Sequence, residues 1–238
     1  MPGRVEDRPI EQLTDLALGE YYLERFRIHM EDSYLGIRMR KFPEDLRVIE
    51  QLIWECRTEV IVEVGLSGGG SALWLRDRLR TLAEYGIIER PLVVSVDRDI
   101  ERGRMNIARV DPGYSDTIRL VEADIRDPDV GERVRAELPA GAESIMVIDD
   151  SAHRYDTTMA TLRNFSGLVP IGGYLLVEDA HRDLPGMLPP AEIPGDARGV
   201  LAAITDWLAA EDDAFVQRRD QERYIVTSNP FGWLQRVR

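Results

Sequence analysis

The sequence predicts an α/β fold with a mostly parallel, doubly wound sheet, and three patterns support this prediction. Five short β-branched runs recur along the chain, and they are almost continuously apolar, which is typical of strands buried on both faces. Stretches with the spacing of amphipathic helices separate these runs. Strands that alternate with helices form parallel sheets covered on both sides. The five predicted strands are EVIVEVG (59–65), PLVVSVD (91–97), TIRLVEAD (117–124), SIMVIDD (144–150) and GGYLLVED (172–179).

The remaining elements follow from the same periodicities. Residues 8–56 are predicted to be helical and to form an N-terminal cap, 1–56, on a main domain at 57–238. The segment 182–199, rich in Pro and Gly, is expected to close over a substrate, because loops of that length are usually functional. The predicted helices lie at 71–86, 99–110, 129–139, 155–169 and 198–211. Two last runs, within 213–220 and 223–237, are predicted to pair antiparallel and to complete a seven-stranded sheet.

Composition restricts the classes of function. The 238 residues are 44% hydrophobic and 31% charged, as in a globular protein. A net charge of −13 argues against nucleic-acid or anionic-membrane partners. The first residues, MPGRVEDRPIEQLTD, contain no apolar signal core, which predicts a cytoplasmic protein. The single cysteine, Cys56, excludes an internal disulfide, and the single lysine, Lys41, among many arginines is interpreted as a base-composition bias.

Acidic residues mark the ends of four of the five predicted parallel strands. In sheets of this kind, ligands bind outside the carboxyl ends of the strands. An aspartate at one strand end is often only a helix cap, but four acidic ends together indicate a binding site. The residues concerned are Asp97, Asp124, Asp149, Asp150, Glu178 and Asp179.

A glycine-rich turn, EVGLSGGGSALWL, follows the first strand and predicts a cofactor site. Its spacing is not the G-x-G-x-x-G of dinucleotide-binding domains, which disfavours a nicotinamide cofactor. Asp97 is placed to accept hydrogen bonds from both ribose hydroxyls, and Asp124 lies near the adenine edge. A nucleoside cofactor held without a pyrophosphate cradle indicates S-adenosylmethionine. The predicted cofactor-binding residues are Gly65, Ser67, Gly68, Gly69, Ser71, Asp97 and Asp124.

Three carboxylates at neighbouring strand ends predict a metal site. Adjacent strands lie about 5 Å apart, so Asp150, Glu178 and Asp179 could converge. Their mutual repulsion would raise their pKa values unless a cation were bound. Oxygen ligands select a hard ion, so Mg²⁺ is expected first, with Mn²⁺ and Ca²⁺ as alternatives.

His153, three residues after Asp150, is predicted to be the catalytic base. Methyl transfer to oxygen needs a deprotonated hydroxyl, which a metal and a histidine together can provide. His181 is a weaker candidate, for substrate contact. Asp149 is expected to orient neighbouring groups or the amino end of the cofactor, without ligating the metal.

The chain resembles the cephalosporin-hydroxylase-like and rhamnosyl O-methyltransferase family, which includes macrolide-sugar O-methyltransferases. The resemblance implies a Rossmann-like class I methyltransferase fold, S-adenosylmethionine, and Mg²⁺ held by Asp150, Glu178 and Asp179. It also implies that His153 is the base and that the protein forms homo-oligomers to which the N-terminal helices contribute. At the position of Asp149 the family usually has an apolar residue. The matching stretches, within residues 42–235, are FPEDLRVIEQLI, VEVGLSGGGSALWL, VSVD, VIDDSAH, GGYLLVEDA and TSNPFGWLQR.

These features predict a Mg²⁺- and S-adenosylmethionine-dependent O-methyltransferase. Its acceptor is expected to be a sugar hydroxyl of a glycosylated natural product, an oligosaccharide or a polysaccharide. One alternative is a component of antibiotic hydroxylation or methoxylation, although the sequence shows no His-x-Asp iron triad. A second alternative is a catalytically silent cofactor-binding partner, but such a protein should have lost its metal ligands or its base.

Overall fold

A seven-stranded sheet forms the centre of the molecule in the computed structural model, which describes residues 17–184, 198–210 and 214–238. Its spatial order is β3-β2-β1-β4-β5-β7-β6, in which the first five strands are parallel and β7 pairs antiparallel with both β5 and β6. The predicted α/β fold and its antiparallel C-terminal edge are confirmed. The strands are β1 Val60–Val64, β2 Leu92–Asp97, β3 Ile118–Glu122, β4 Ile145–Asp149, β5 Tyr174–Val177, β6 Phe215–Gln217 and β7 Trp233–Arg236.

Seven α-helices belong to the described ranges, and the predicted helices between the strands all form. Several short 3₁₀ turns complete the chain, among them Ala180–Asp183 directly after β5. Within these ranges, no helix is long and apolar enough to cross a membrane. The helices are α1 Leu18–His29, α2 Pro43–Glu55, α3 Gly70–Glu84, α4 Glu101–Val110, α5 Val130–Glu137, α6 Tyr155–Phe165 and α7 Val200–Ala210.

Helices cover both faces of the sheet, which explains why its central strands are almost continuously apolar. Val62 of β1 belongs to one hydrophobic cluster with Phe165 of α6, and its neighbour Ile61 belongs to another with Leu73 of α3. All five residues of β1 are buried. Because side chains of a strand alternate between faces, a strand covered on both sides must be apolar on both.

The prediction that residues 8–56 are helical is wrong at 33–38. Ser33–Tyr34 and Ile37–Arg38 pair as a short antiparallel hairpin between α1 and α2. The turn residues Leu35 and Gly36 have φ values of 51° and 74°, a conformation that matches the twist of a tight hairpin. Leucine is unusual at such a position, so the sequence carried little signal for it.

Three other predictions concern the domain boundary and two segments of the chain. Ile49 of α2 lies in the same hydrophobic cluster as Ile61 of β1, and the boundary at 56/57 stays a prediction. The predicted helix over 8–16 and most of the predicted closing segment, 185–197, lie outside the described residues.

The predicted strand over 223–237 is too long. Only Trp233–Arg236 is extended in the sheet, while the residues before it form a loop. Ile225 and Phe231 have φ values of 69° and 64°, which a continuous strand does not allow. This loop brings Thr227–Asn229 beside the end of β5, where they take part in the site.

Candidate active site

Two cavities open at the carboxyl ends of the central strands. Gly65, Ser67, Asp150 and Ser151 line both of them, so the cavities share a wall. The first cavity measures about 270 Å³, and its other lining residues include Asp97, Ala123, Asp124 and Ile125. The second measures about 280 Å³, and its other lining residues include Lys41, Gly68, Ser71, His153 and Asp179. The first has the strand-end aspartates expected for a nucleoside, and the second has the base and acidic residues.

The backbone of the glycine-rich turn is held against β2 and β4. Gly65 has a φ of 104°, and a Cβ atom there would lie 2.0 Å from the carbonyl oxygen of Asp150. Only glycine fits between the two strand ends. Asp97 Oδ2 accepts hydrogen bonds from the backbone N–H groups of Leu66 and Ser67, at 2.9 and 3.0 Å. Asp97 therefore fixes the turn and at the same time lines the first cavity.

The following glycines allow close packing of the turn. A Cβ atom on Gly69 would lie 2.8 Å from the side chain of Ile107 in α4, and one on Gly70 would lie 2.6 Å from the carbonyl oxygen of Arg38. Gly68 lines the second cavity, as does the buried Ser71. Gly69 thus faces a neighbouring helix. The roles of all seven predicted residues in cofactor binding stay predictions.

Asp124 lines the first cavity and is fixed by an arginine. Arg126 donates to both of its carboxylate oxygens, from Nε at 2.9 Å and from Nη2 at 2.6 Å. These hydrogen bonds hold the pKa of Asp124 well below its usual value. Arg126 also donates to Asp156 at 3.0 Å, so the arginine itself is anchored to α6.

Asp150, His153 and Asp179 form a compact group on the second cavity. His153 Nε2 lies 3.2 Å from Asp179 Oδ2 and 3.8 Å from Asp150 Oδ1. One ligand atom from each residue lies within 4.8 Å of the others, close enough for all three to contact one metal ion. Burial raises the pKa of Asp179, but the nearby His153 and His181 outweigh burial and keep it below its usual value. The group therefore offers an ionised carboxylate beside an imidazole.

Glu178, the third predicted metal ligand, is buried beside this group and pairs with Lys41 through Oε2. Its other oxygen, Oε1, has no hydrogen-bond partner among the described residues. Burial raises the pKa of Glu178 well above its usual value, although Lys41 opposes this. A buried carboxylate oxygen without a partner is costly. Glu178 is not among the residues whose ligand atoms lie within 4.8 Å of one another, but its second oxygen is of the kind that a hard divalent cation prefers.

Lys41, which the sequence analysis attributed to base composition, is part of the site. Its Nζ donates to Asp150 Oδ2 at 2.9 Å and to Glu178 Oε2, and its side chain is only 4% exposed. Burial alone would lower the pKa of Lys41, but the carboxylates of Asp150 and Glu178 raise it above its usual value. The sequence did contain one signal of this role. The only lysine of an arginine-rich chain lies two residues before α2, the helix that precedes the first strand of the sheet.

A second buried glutamate, Glu63 in β1, was also missed. It is fully buried, and Ser95 Oγ of β2 donates to its Oε2 at 2.5 Å. Burial raises the pKa of Glu63 to about 7, and the nearby Lys41 opposes this. An acidic residue inside an apolar strand run was a visible signal of a special environment.

The loop before β7 supports the end of β5 through Asp45 of α2. The backbone N–H and the hydroxyl of Ser228 donate to Asp45 Oδ2 at 2.8 and 2.9 Å, and the Thr227 hydroxyl donates to Oδ1 at 2.5 Å. Next in this loop, Asn229 Oδ1 accepts the backbone N–H of Asp179 at 3.0 Å. Asp179 has a φ of 59°, and this contact holds its backbone in that left-handed conformation.

Replacing Asp45 with alanine is expected to lower the free energy of unfolding by about 2–4 kcal/mol, because it leaves buried donors unsatisfied. Asp45→Asn keeps one acceptor oxygen and should lose less. Urea unfolding monitored by circular dichroism measures both, with the exposed Asp116→Ala as a surface control that should cost no more than about 0.5 kcal/mol. An Asp45→Ala protein as stable as that control would contradict the supporting role.

His181 and Asp149 face the protein interior. His181 is fully buried against the rings of Tyr22, Phe26 and Phe42, and its Nδ1 lies 2.7 Å from the carbonyl oxygen of Ser228. This environment argues for a structural role and against the expected substrate contact. Asp149 is buried under α6 and accepts a hydrogen bond from Thr161 at 3.1 Å. Burial raises its pKa to about 6.

The sequence of this chain is similar to those of known rhamnosyl O-methyltransferases. The sequence model of the family described as Rhamnosyl O-methyltransferase/CmcI matches residues 27–237. A rhamnosyl O-methyltransferase of Mycobacterium bovis is 26% identical over 203 residues, which are 84% of this chain and 74% of the relative. One from Mycobacterium leprae is 25% identical over 183 residues, 76% and 74% of the two chains.

Solved structures share the fold. A CmcI structure described as the apo form of an N160 protein is 24% identical, with a TM-score of 0.64, and the match covers 100% of this chain and 88% of that one. Another, described as cmcI-D160 with Mg and S-adenosylmethionine, is 23% identical with a TM-score of 0.63 and the same coverage.

Proposed function

We propose that this chain, which belongs to the rhamnosyl O-methyltransferase/CmcI family, methylates a sugar hydroxyl with the help of a divalent cation. Membership of that family makes it an S-adenosylmethionine-dependent O-methyltransferase. The cation and the sugar acceptor are the proposed parts. The observation that carries the proposal is the shared wall of the two cavities, with Asp150, His153 and Asp179 beside it.

The two cavities suit the two substrates of a methyl transfer. The first, with Asp97 and Asp124, takes the adenosine part of the cofactor, and the turn at Gly65–Ser67 leads into the second. The reacting methyl group then lies near the shared wall, and the acceptor hydroxyl reaches it from the second cavity. Holding both partners there makes the transfer effectively unimolecular, which supplies much of the rate acceleration.

The residues of the second cavity prepare the acceptor. The imidazole of His153 takes the proton of the acceptor hydroxyl, and the adjacent Asp179, 3.2 Å from Nε2, stabilises the imidazolium that forms. Asp150, Glu178 and Asp179 would hold the divalent cation, Mg²⁺ by preference, whose chemistry there is to lower the pKa of a hydroxyl. The oxygen then attacks the methyl carbon of the sulfonium, the carbon–sulfur bond breaks, and S-adenosylhomocysteine leaves.

The proposal is supported by the names of the curated relatives, which are rhamnosyl O-methyltransferases, and by a related structure described with Mg and S-adenosylmethionine. A rhamnoside is therefore the first acceptor to test.

Calorimetric titration of S-adenosylhomocysteine, with Mg²⁺ and then with EDTA, is expected to show binding in both conditions, because the first cavity holds the nucleoside without the cation. Methylation of a rhamnoside, followed by mass spectrometry, is expected only with Mg²⁺. Methylation at the same rate in EDTA would contradict the proposed dependence on a divalent cation. Cofactor binding with no turnover on any glycoside would instead favour a silent partner protein.

A further inference from the structure

Lys41 divides the oxygens of two predicted metal ligands into two classes. Its ammonium group binds Asp150 Oδ2 and Glu178 Oε2. The opposite oxygens are differently placed: Asp150 Oδ1 faces His153 at 3.8 Å, and Glu178 Oε1 has no partner among the described residues. One oxygen of each carboxylate is thus held by the lysine, and one is available to a cation.

This division is built into the fold. The Lys41 side chain is 4% exposed, so water cannot readily replace it as a donor. The next residue, Phe42, is fully buried, and Pro43 then begins α2, which packs on the sheet. A buried lysine that directly precedes this anchored segment and is paired with two carboxylates cannot leave without a large energetic cost.

The number of available oxygens decides which ion a site prefers. Ca²⁺ takes six to eight oxygen ligands and often binds both oxygens of one carboxylate. Mg²⁺ takes six ligands at about 2.1 Å in a nearly ideal octahedron and usually binds one oxygen per carboxylate. A site in which two of the three carboxylates each offer a single oxygen is therefore less suited to Ca²⁺.

We propose that Lys41 is a positioning residue that makes the site selective for Mg²⁺ over Ca²⁺, by withholding one oxygen of Asp150 and one of Glu178. This inference rests on the proposed metal site. The carboxylates alone are compatible with both Mg²⁺ and Ca²⁺, and Lys41 would favour Mg²⁺. The inference also gives a reason for a buried lysine in a cluster of acids that are expected to bind a cation.

The test is a calorimetric titration of Mg²⁺ and of Ca²⁺ into the protein saturated with S-adenosylhomocysteine. Wild type is expected to bind Mg²⁺ more tightly than Ca²⁺. Lys41→Met frees both oxygens and should shift the ratio of the two dissociation constants towards Ca²⁺ by about tenfold or more. Lys41→Arg keeps a donor for each carboxylate and should shift the ratio less.

The control is Arg76→Met. Arg76 is equally buried, at 4% exposure, and is paired with Asp77 and Asp111 away from both cavities. Its replacement should lower stability and leave the ratio unchanged. A general loss of structure weakens the binding of both ions alike. The ratio of the two dissociation constants therefore distinguishes a positioning role of Lys41 from a general loss of structure.

An unchanged ratio in a folded Lys41→Met protein overturns the inference and leaves the metal site standing. Tighter binding of Ca²⁺ than of Mg²⁺ by wild type also overturns it, even if Lys41→Met fails to fold. If wild type binds neither ion, both the proposed metal site and the proposed role of Lys41 are wrong.

Discussion

His153→Ala is expected to lower kcat by about 10² to 10⁴-fold, while S-adenosylhomocysteine binds as tightly as to wild type. The imidazole lines the second cavity and is absent from the lining of the first, so its removal should not weaken binding of the nucleoside. Its Nε2 lies 3.2 Å from Asp179 Oδ2, which stabilises the protonated ring. Steady-state kinetics on a rhamnoside and calorimetry with S-adenosylhomocysteine provide the two measurements.

His153→Asn separates proton transfer from a simple polar contact. Asparagine can donate and accept hydrogen bonds but cannot take a proton near neutral pH. The two variants should therefore be equally impaired, and added imidazole should restore part of the activity of His153→Ala. Activity of His153→Asn close to wild type would show that the histidine only contacts the acceptor.

The strands of the sheet were predictable because each of them has its own apolar pattern in the sequence. Each buried parallel strand must be apolar on both faces, so runs such as 91–97 carry their own signal. The hairpin at 33–38 was not predictable, because a left-handed leucine at position 35 is stabilised by its surroundings and not by its own preference. The last strand is shorter than predicted for a related reason. Asp45 binds Thr227 and Ser228, and this long-range contact holds them in a loop outside the sheet.

The site shows the same division between local and distant signals. Carboxylates at strand ends could be predicted to meet, because parallel strands end at one edge of a sheet. Asp150 and Asp179 do meet there, 29 positions apart in the sequence. Lys41 could not be placed, because its partners lie 109 and 137 positions away and only tertiary packing brings them together. Long-range ion pairs of this kind leave little periodic pattern in a single sequence.

Glu178→Gln is expected to weaken Mn²⁺ binding by at least about 100-fold, and this result would decide between two possible ligand sets. The sequence predicts Asp150, Glu178 and Asp179, whereas the atoms that lie close together belong to Asp150, His153 and Asp179. Within the part of the chain that the structure describes, the buried Oε1 of Glu178 has no hydrogen-bond partner, and this favours the first set. Since outer partners of metal ligands already contribute 10- to 100-fold to affinity, loss of a charged ligand should exceed that range.

Glutamine suits this experiment because it has the shape of glutamate and keeps an oxygen that can accept from Lys41. Mn²⁺ binding, counted by electron paramagnetic resonance of the free ion, should fall strongly in Glu178→Gln and change less than about threefold in His153→Ala. The opposite pattern, with His153→Ala losing the metal and Glu178→Gln keeping it, would make the histidine a ligand. His153 could then not act as the free base, and the proton of the acceptor would need another acceptor in the second cavity.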